Sequence, residues 1–335
     1  MIHVAINGFG RIGRAFFRSA VSNPDITITA INDLGNIENL AYLLKYDSVY
    51  DKAPFEVTVQ DGQLIIAGKT VKVLSEKDPA QLPWKDLDID VVVESTGFFT
   101  DYEKAKAHID AGAKRVVISA PGKGDASLGA TVLMGLNEDK LQTCQVSSNA
   151  SCTTNAASPA IAILDESIGI ERALLNTTHA YTATQALVDG PTKKGLREGR
   201  AAAVNIIPSS TGAAVAVTKA YEALTGKFDG VSLRVPVPAG SIADITFIAK
   251  RETTAEEVND ILRKAAKEPR WQGIFDTTDE ELVSSDIVGN THAAIADLSM
   301  TRVVGNLVKV LTWYDNEMGY THTLVQHVIK AGQHI

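Results

Sequence analysis

The sequence predicts an α/β chain of two domains: a doubly wound parallel sheet, followed by an α+β domain with a largely antiparallel sheet. Three observations carry this. Residues 1 to 35 read as strand, turn, helix and strand. Near Ser151 the texture changes from short buried strands with a helix between them to long alternating ones. A chain of 335 residues is also too long for one comfortable core and about right for two, with a cleft between them.

The first strand is "IHVAI", rich in β-branched residues. It is followed by the glycine turn "NGFGRIG", helical spacing in "RAFFRSAVS" and a second strand, "DITITAIND". A βαβ unit of this kind implies parallel pairing. In "FEVTVQDGQLIIAGKTVKVLS" alternation runs on both sides of Asp61-Gly62, which predicts a tight hairpin. Three buried strands follow, "DVVVEST", "RVVIS" and "CQVSSN", with "DYEKAKAHIDAGA" as a helix between the first two. Together these elements predict a Rossmann-type half ending near Ser151, assigned to residues 1–151.

The second domain, 152–315, opens with the helix "SCTTNAASPAIAILDES". It continues in the strands "RALLNTTHAYT", "GVSLRVPVP", "SIADITFIAKR" and "NLVKVLTWYDN". Few regular helices are expected between these strands, hence an antiparallel arrangement. A last helix, "EMGYTHTLVQHVIKA", closes the chain, and the segment 316–335 is expected to pack back on the first domain.

Composition narrows the classes of function. Hydrophobic residues make up 45% and charged residues 21%, values typical of a globular chain. A net charge of −8 argues against nucleic acid as a partner, because neutralising phosphates supplies non-specific affinity. The basic cluster "KKGLREGR", Lys193 to Arg200, reads first as a solvated loop. Apolar runs such as "DVVVES" are too short to span a bilayer, and "MIHVAINGFG" lacks the layout of a signal peptide, so no membrane and a cytoplasmic location are expected. Two cysteines, Cys144 and Cys152, are not a disulfide framework, and a reducing compartment fits them. No metal site is expected.

Gly8, Gly10 and Gly13 form G-x-G-x-x-G between a strand and a helix, and Asp33 ends the second strand. Glycines there allow a tight turn and let a pyrophosphate approach the helix N-terminus, where N–H groups favour anions. Asp33 can accept hydrogen bonds from a ribose diol and would repel a 2′-phosphate, which points to NAD rather than NADP.

Cys152 sits in "SNASCTTNAAS", among hydroxyl and amide residues suited to a helix start rather than an apolar core. A helix N-terminus lowers a thiol's pKa and supplies donors, so a reactive thiolate is expected. His179 in "NTTHAYT" is either its base or a satisfied structural histidine. Arg234 in "SLRVPVP" is either a paired core arginine or an anion clamp. "PSSTGAA", with Thr211 and Gly212, is a second hydroxyl-glycine entry to a helix, either ordinary capping or a phosphate site.

The segments "INGFGRIGR", "SNASCTTN", "THAYTATQ", "NIIPSSTGAA", "LRVPVP" and "WYDNEMGY" together resemble, in order and spacing, the phosphorylating glyceraldehyde-3-phosphate dehydrogenases, from Ile2 to the terminal helix. The resemblance implies that Cys152 is the nucleophile and His179 the base that activates it. Thr182, Arg197 and Arg234 match one substrate-phosphate pocket, with Arg234 reaching toward both anion sites; Ser151, Thr153, Thr211 and Gly212 match the pocket for inorganic phosphate. Arg11 and Ile12 match the pyrophosphate turn and Asp33 the adenosine ribose contact. Lys77 falls on the adenine side, Ser119 near the nicotinamide ribose, and Asn316 at the carboxamide, with Tyr320 beside it.

The chemistry implied is NAD-linked oxidation of glyceraldehyde 3-phosphate through a cysteine hemithioacetal and thioester, which inorganic phosphate then attacks to give 1,3-bisphosphoglycerate. A serine would form a much less reactive oxygen ester. The segment from Thr182 to Arg200 matches the family's inter-subunit loop, implying a homotetramer, and Gly190-Pro191 resembles the NAD-linked members.

Some positions depart from the usual pattern. Ala156 stands where many members have a second cysteine, and Lys77 where arginine is usual. "PGKGDASLGATVLMG" resembles the related erythrose-4-phosphate dehydrogenases, but the intact "SSTG" favours the three-carbon substrate. A different class of reading is a non-catalytic NAD-binding redox sensor that uses Cys152 as an oxidisable switch; such a sensor would not need the anion-site residues.

Overall fold

The computed structural model describes residues 1–192 and 195–335. Lys193 and Lys194 of the basic cluster lie outside the described residues. The chain divides into two compact units, residues 1–150 with 321–335, and residues 151–320.

In the first unit the strands are β1 (Ile2–Asn7), β2 (Ile26–Asn32), β3 (Val57–Gln60), β4 (Gln63–Ile66), β5 (Lys69–Leu74), β6 (Val91–Glu94), β7 (Arg115–Ile118), β8 (Ala130–Thr131) and β9 (Val146–Ser148). They form one sheet in the order β8-β9-β7-β6-β1-β2-β5-β4-β3. Pairing is parallel from β8 to β5 and antiparallel in the β5-β4-β3 edge. Chain direction reverses its progress across the sheet between β1 and β6. That is the switch point at which doubly wound sheets bind ligands.

Local chemistry explains the elements. α1 (Arg11–Ala20) follows the glycine turn and buries Ala15, Phe16, Phe17 and Ala20, while α2 (Ile37–Lys45) is capped by Asn36, whose side chain accepts from Glu38 and Asn39. The β3-β4 hairpin turns on Asp61 and Gly62, at φ 51° and 72°, as a two-residue type I′ turn requires. The single helix expected over "DYEKAKAHIDAGA" is two short ones, Tyr102–Ala105 and Ala107–Asp110.

Three adjacent strand ends are tied by buried polar side chains. Asn7 donates to Glu94 at 2.6 Å and accepts from Asn32 at 2.7 Å, and Trp84 donates its indole N–H to His108, whose other nitrogen meets Glu94 at 3.1 Å. This fixes the carboxyl ends of β1, β2 and β6, where a ligand of such a sheet sits.

The second unit contains α3 (Cys152–Ile168), β10 (Ile170–Ala180), β11 (Ile207–Ser210), α4 (Ala213–Ala220), β12 (Phe228–Val235), β13 (Ser241–Ala249), α5 (Ala255–Ala265), β14 (Phe275–Thr278), β15 (Ala294–Val304) and β16 (Leu307–Tyr314). Sheet order is β11-β12-β10-β13-β16-β15-β14. The sheet is largely antiparallel, with two exceptions: β10 runs parallel to β12, and β14 to β15. Helices intervene where few were expected: α4 lies between β11 and β12, and α5 between β13 and β14. α3 packs on β13, β15 and β16 and against α4 and α5, burying its alanine-rich length.

The last helix, α6 (Met318–Gly332), starts in the second unit, and its residues from Thr321 belong to the first. There His327, fully buried, lies 3.1 Å from Asn149 Oδ1 and 2.8 Å from Ser147 Oγ.

Candidate active site

The nucleotide-facing residues lie in the first unit, and each glycine has its own mechanical role. Gly8 has φ +94°, and a Cβ there would stand 2.6 Å from the Thr96 nitrogen. A Cβ on Gly13 would come 2.2 Å from the Gly8 oxygen, so only glycine lets α1 pack this close to the turn. Gly10, the N-cap of α1, faces open space with nothing within 4 Å of its would-be Cβ. Bare backbone exposed at a helix N-terminus is what a pyrophosphate needs.

Arg11 and Ile12 follow as the first helical residues, and the Arg11 guanidinium is held by Asp47 at 3.0 Å. Asp33 accepts from the Phe9 N–H at 2.6 Å and the Gly35 N–H at 2.8 Å, one on each carboxylate oxygen. Its carboxylate thus sits over the glycine turn with lone pairs left for a diol. Ser119 is half-buried just beyond β7, and Lys77 is exposed. These features fit a dinucleotide.

The second unit holds the reactive pair. Ser151 caps α3, its hydroxyl accepting from the Thr154 N–H at 3.1 Å, a contact worth about 1 kcal/mol. Cys152 is therefore the first residue of the helix, half-buried, with its sulfur 3.2 Å from His179 Nε2. His179 is next to last in β10 and 3% exposed. Its Nδ1 lies 2.7 Å from the Ala180 oxygen and 2.7 Å from Arg234 Nη1, which also donates to the Ala180 oxygen at 3.3 Å.

Burial pushes the Cys152 thiol up, against the pull of Arg234 and of hydrogen bonds from Thr153. Burial, with Arg234 adding to it, pushes His179 down to about 3. At neutral pH the imidazole is thus uncharged in the resting chain. His327 is likewise pushed down to about 3, by burial alone.

These two shifts fix an acid limit to stability. The ordinary histidine value is near 6.5, so between roughly pH 6.5 and 3 the unfolded chain binds the extra protons. Both contributions are present above 6.5 and are lost as pH falls, at up to ~1.4 kcal/mol per pH unit for each group. The melting temperature should fall from pH 7 to 5, above the range where carboxylates protonate, and His327→Gln should flatten the slope. An unchanged slope in that variant would remove His327 from the account.

The anion-site residues are partly assembled. Arg197 and Arg234 line a cavity of about 720 Å³ with Ser209, Ser210 and Thr184. Thr182 lies beside it, its hydroxyl 3.0 Å from that of Thr184. Thr211 accepts from the Ala213 N–H at 3.1 Å, and Gly212 is the exposed N-cap of α4. The Thr153 hydroxyl lies 2.9 Å from the Tyr314 hydroxyl.

Tyr314 also meets Thr177 at 2.8 Å, and its ring packs edge-on against His179 at 5.9 Å. It buttresses the base and lies in the quoted "WYDN", yet alternation marks it only as an inward-facing strand residue. Asn316 is buried and accepts from Ser241 at 3.1 Å, and Tyr320 is buried in the first turn of α6. Both cysteines are free. Among the described residues no cluster could hold a metal ion, and no helix is long and apolar enough to cross a membrane.

A dinucleotide-binding unit joined in one chain to a thiol–imidazole pair defines a class, the NAD-linked oxidoreductases that act on aldehydes through sulfur. Residues 2–102 match the family model described as the glyceraldehyde 3-phosphate dehydrogenase NAD binding domain, and residues 151–316 match that of the C-terminal domain. The chain is 47% identical to a glyceraldehyde-3-phosphate dehydrogenase of Mycobacterium avium, over 99% of each chain. It is 46% identical to glyceraldehyde-3-phosphate dehydrogenase 1 of Streptomyces avermitilis, over 99% of this chain and 98% of that one. With a Clostridium pasteurianum relative of the same name it shares 46% identity over 97% of each. The chain belongs to the glyceraldehyde 3-phosphate dehydrogenase family.

Proposed function

We propose that the protein oxidises D-glyceraldehyde 3-phosphate, with NAD and inorganic phosphate, to 1,3-bisphosphoglycerate, as in glycolysis. The observation that carries this reading is the 3.2 Å contact between Cys152 Sγ, at a helix N-terminus, and His179 Nε2. Bound NAD supplies the acceptor for the aldehyde's hydride. The residues would hold it by the glycine turn with Arg11 and Ile12, by Asp33, Lys77 and Ser119, and by Asn316 with Tyr320.

Arginine can only donate, so when Nδ1 accepts from Arg234 the imidazole proton sits on Nε2, facing the sulfur. A substrate phosphate drawn to Arg234 competes for that guanidinium. Nδ1–H can then donate to the Ala180 oxygen, and the Nε2 lone pair is left facing the reacting centre. Nε2 takes the thiol proton as the sulfur adds to the aldehyde carbon and returns it to the carbonyl oxygen; it then takes the hydroxyl proton of the hemithioacetal as the carbon gives up its hydride and becomes a thioester. Phosphate, placed by Ser151, Thr153, Thr211 and Gly212, attacks the thioester carbon and releases the thiolate. Thr182, Arg197 and Arg234 would hold the substrate's own phosphate.

The protein is proposed to act as a cytoplasmic homotetramer. Support comes from apolar side chains on and beyond the 182–200 loop, with Leu187 79% and Leu196 95% exposed in the single chain.

The test is a steady-state assay with glyceraldehyde 3-phosphate and erythrose 4-phosphate, NAD and NADP, and phosphate present or omitted. Reduced NAD should accumulate with the three-carbon substrate and depend on phosphate. Turnover that is indifferent to phosphate would exclude thioester phosphorolysis.

A further inference from the structure

Ser241 opens β13, the central strand of the second sheet, between β10, which carries His179, and β16, which leads to Asn316. It is 1% exposed. Its Oγ accepts the Ala180 N–H at 3.1 Å and lies 3.1 Å from Asn316 Oδ1. The hydroxyl has one hydrogen, and the Ala180 N–H occupies a lone pair, so the hydrogen goes to Asn316 Oδ1. Ala180 is thereby held at both ends, because its oxygen also accepts from Arg234 Nη1 at 3.3 Å.

The backbone is shaped to place this one hydroxyl. Gly240 enters β13 at φ +84°, and a Cβ there would stand 2.2 Å from the Ser284 oxygen. Asn316 is 5% exposed, and its Nδ2 makes no hydrogen bond among the described residues. A buried amide fixed by its oxygen presents its N–H₂ group in one direction, as a donor for a carbonyl.

We propose that Ser241 is a positioning residue that couples the base to the cofactor: one hydroxyl aims the Asn316 amide at the carboxamide oxygen of nicotinamide and steadies the Ala180 backbone that aims His179. The inference rests on the proposed role of Asn316. Nothing in the motifs points to Ser241, which lies in an ordinary alternating strand, "SIADITFIAKR".

The experiment compares full-length wild type, Ser241→Ala, Asn316→Ala and the double variant in the aldehyde assay. The cofactors are NAD and its thionicotinamide analogue, whose sulfur is a weak acceptor. Ser241→Ala should raise KM for NAD about tenfold and leave KM for the aldehyde within about twofold. It should also erase most of the preference for NAD over the thio analogue, and in KM for NAD the double variant should be no worse than Asn316→Ala. A merely structural role would lower the melting temperature without touching that preference.

Ser241→Cys, of similar size and weaker hydrogen bonding, carries the same comparison if the alanine variant does not fold. Unchanged discrimination in an active Ser241 variant, or increases in KM for NAD that multiply with those of Asn316→Ala, would overturn the coupling alone. Absence of NAD-linked turnover in the wild type would overturn the functional reading first.

Discussion

Cys152→Ser is expected to abolish aldehyde oxidation, lowering kcat by at least about 10⁴-fold, while NAD affinity stays within about twofold. Serine is nearly isosteric and keeps the helix start intact, since the cap of α3 is Ser151 and not Cys152. What changes is acidity and leaving ability. A hydroxyl held 3.2 Å from His179 is a far weaker nucleophile toward a free aldehyde than a thiolate, and any ester it formed would resist phosphate. The dinucleotide contacts proposed at Gly8, Gly10, Gly13 and Asp33 use none of the sulfur's chemistry. Stopped-flow absorbance of reduced NAD, alongside fluorescence titration of NAD binding, checks both halves. Retained turnover would take the thiol out of the mechanism; lost NAD binding would mean that the serine had disturbed more than the sulfur.

The sequence carried much of this site because backbone constraints leave marks on residue choice. Gly8 and Gly13 are glycines because a Cβ would strike Thr96 and the Gly8 oxygen, and Gly10 leaves bare backbone at the helix start. Asp61-Gly62 forced its hairpin through two left-handed residues, and Ser151 marked the start of α3 through one hydroxyl. Where the determinant was tertiary, pattern had less to say. Two parallel pairings in the second sheet depend on which strands become neighbours, which alternation does not encode. His179 could be given two readings because its partners come from distant segments: Cys152 from the opening of α3, Arg234 from the end of β12. Tyr314 and Ser241 were invisible for a related reason. Each looks like an ordinary inward strand residue until register sets it beside another strand's polar group.

His179→Asn should lower kcat/KM by about 10²- to 10⁴-fold and, more tellingly, change how the thiol responds to pH. Asparagine keeps a polar group near the sulfur and can still reach the Ala180 region, but it cannot take a proton. In the wild type His179 is pushed down to about 3 and is therefore uncharged across the neutral range, with its Nε2–H facing the sulfur while Nδ1 accepts from Arg234. Burial pushes the Cys152 thiol up, so in the resting wild type its ionisation already waits for alkaline solution; Arg234 and the Thr153 hydrogen bonds favour the anion, and the variant loses in addition the imidazole N–H facing the sulfur. Alkylation by iodoacetamide reports this directly: its rate at Cys152 should rise with pH into the alkaline range in both proteins, with the variant's profile displaced to higher pH by loss of the Nε2–H that faces the sulfur. Arg234 stands 2.7 Å from Nδ1, so the pair also responds to any anion that competes for the guanidinium. A phosphate monoester should therefore shift the wild-type alkylation profile and leave that of His179→Asn nearly unmoved. Superimposable profiles for the two proteins would mean that His179 does not govern the thiol, and that the 3.2 Å contact is packing alone.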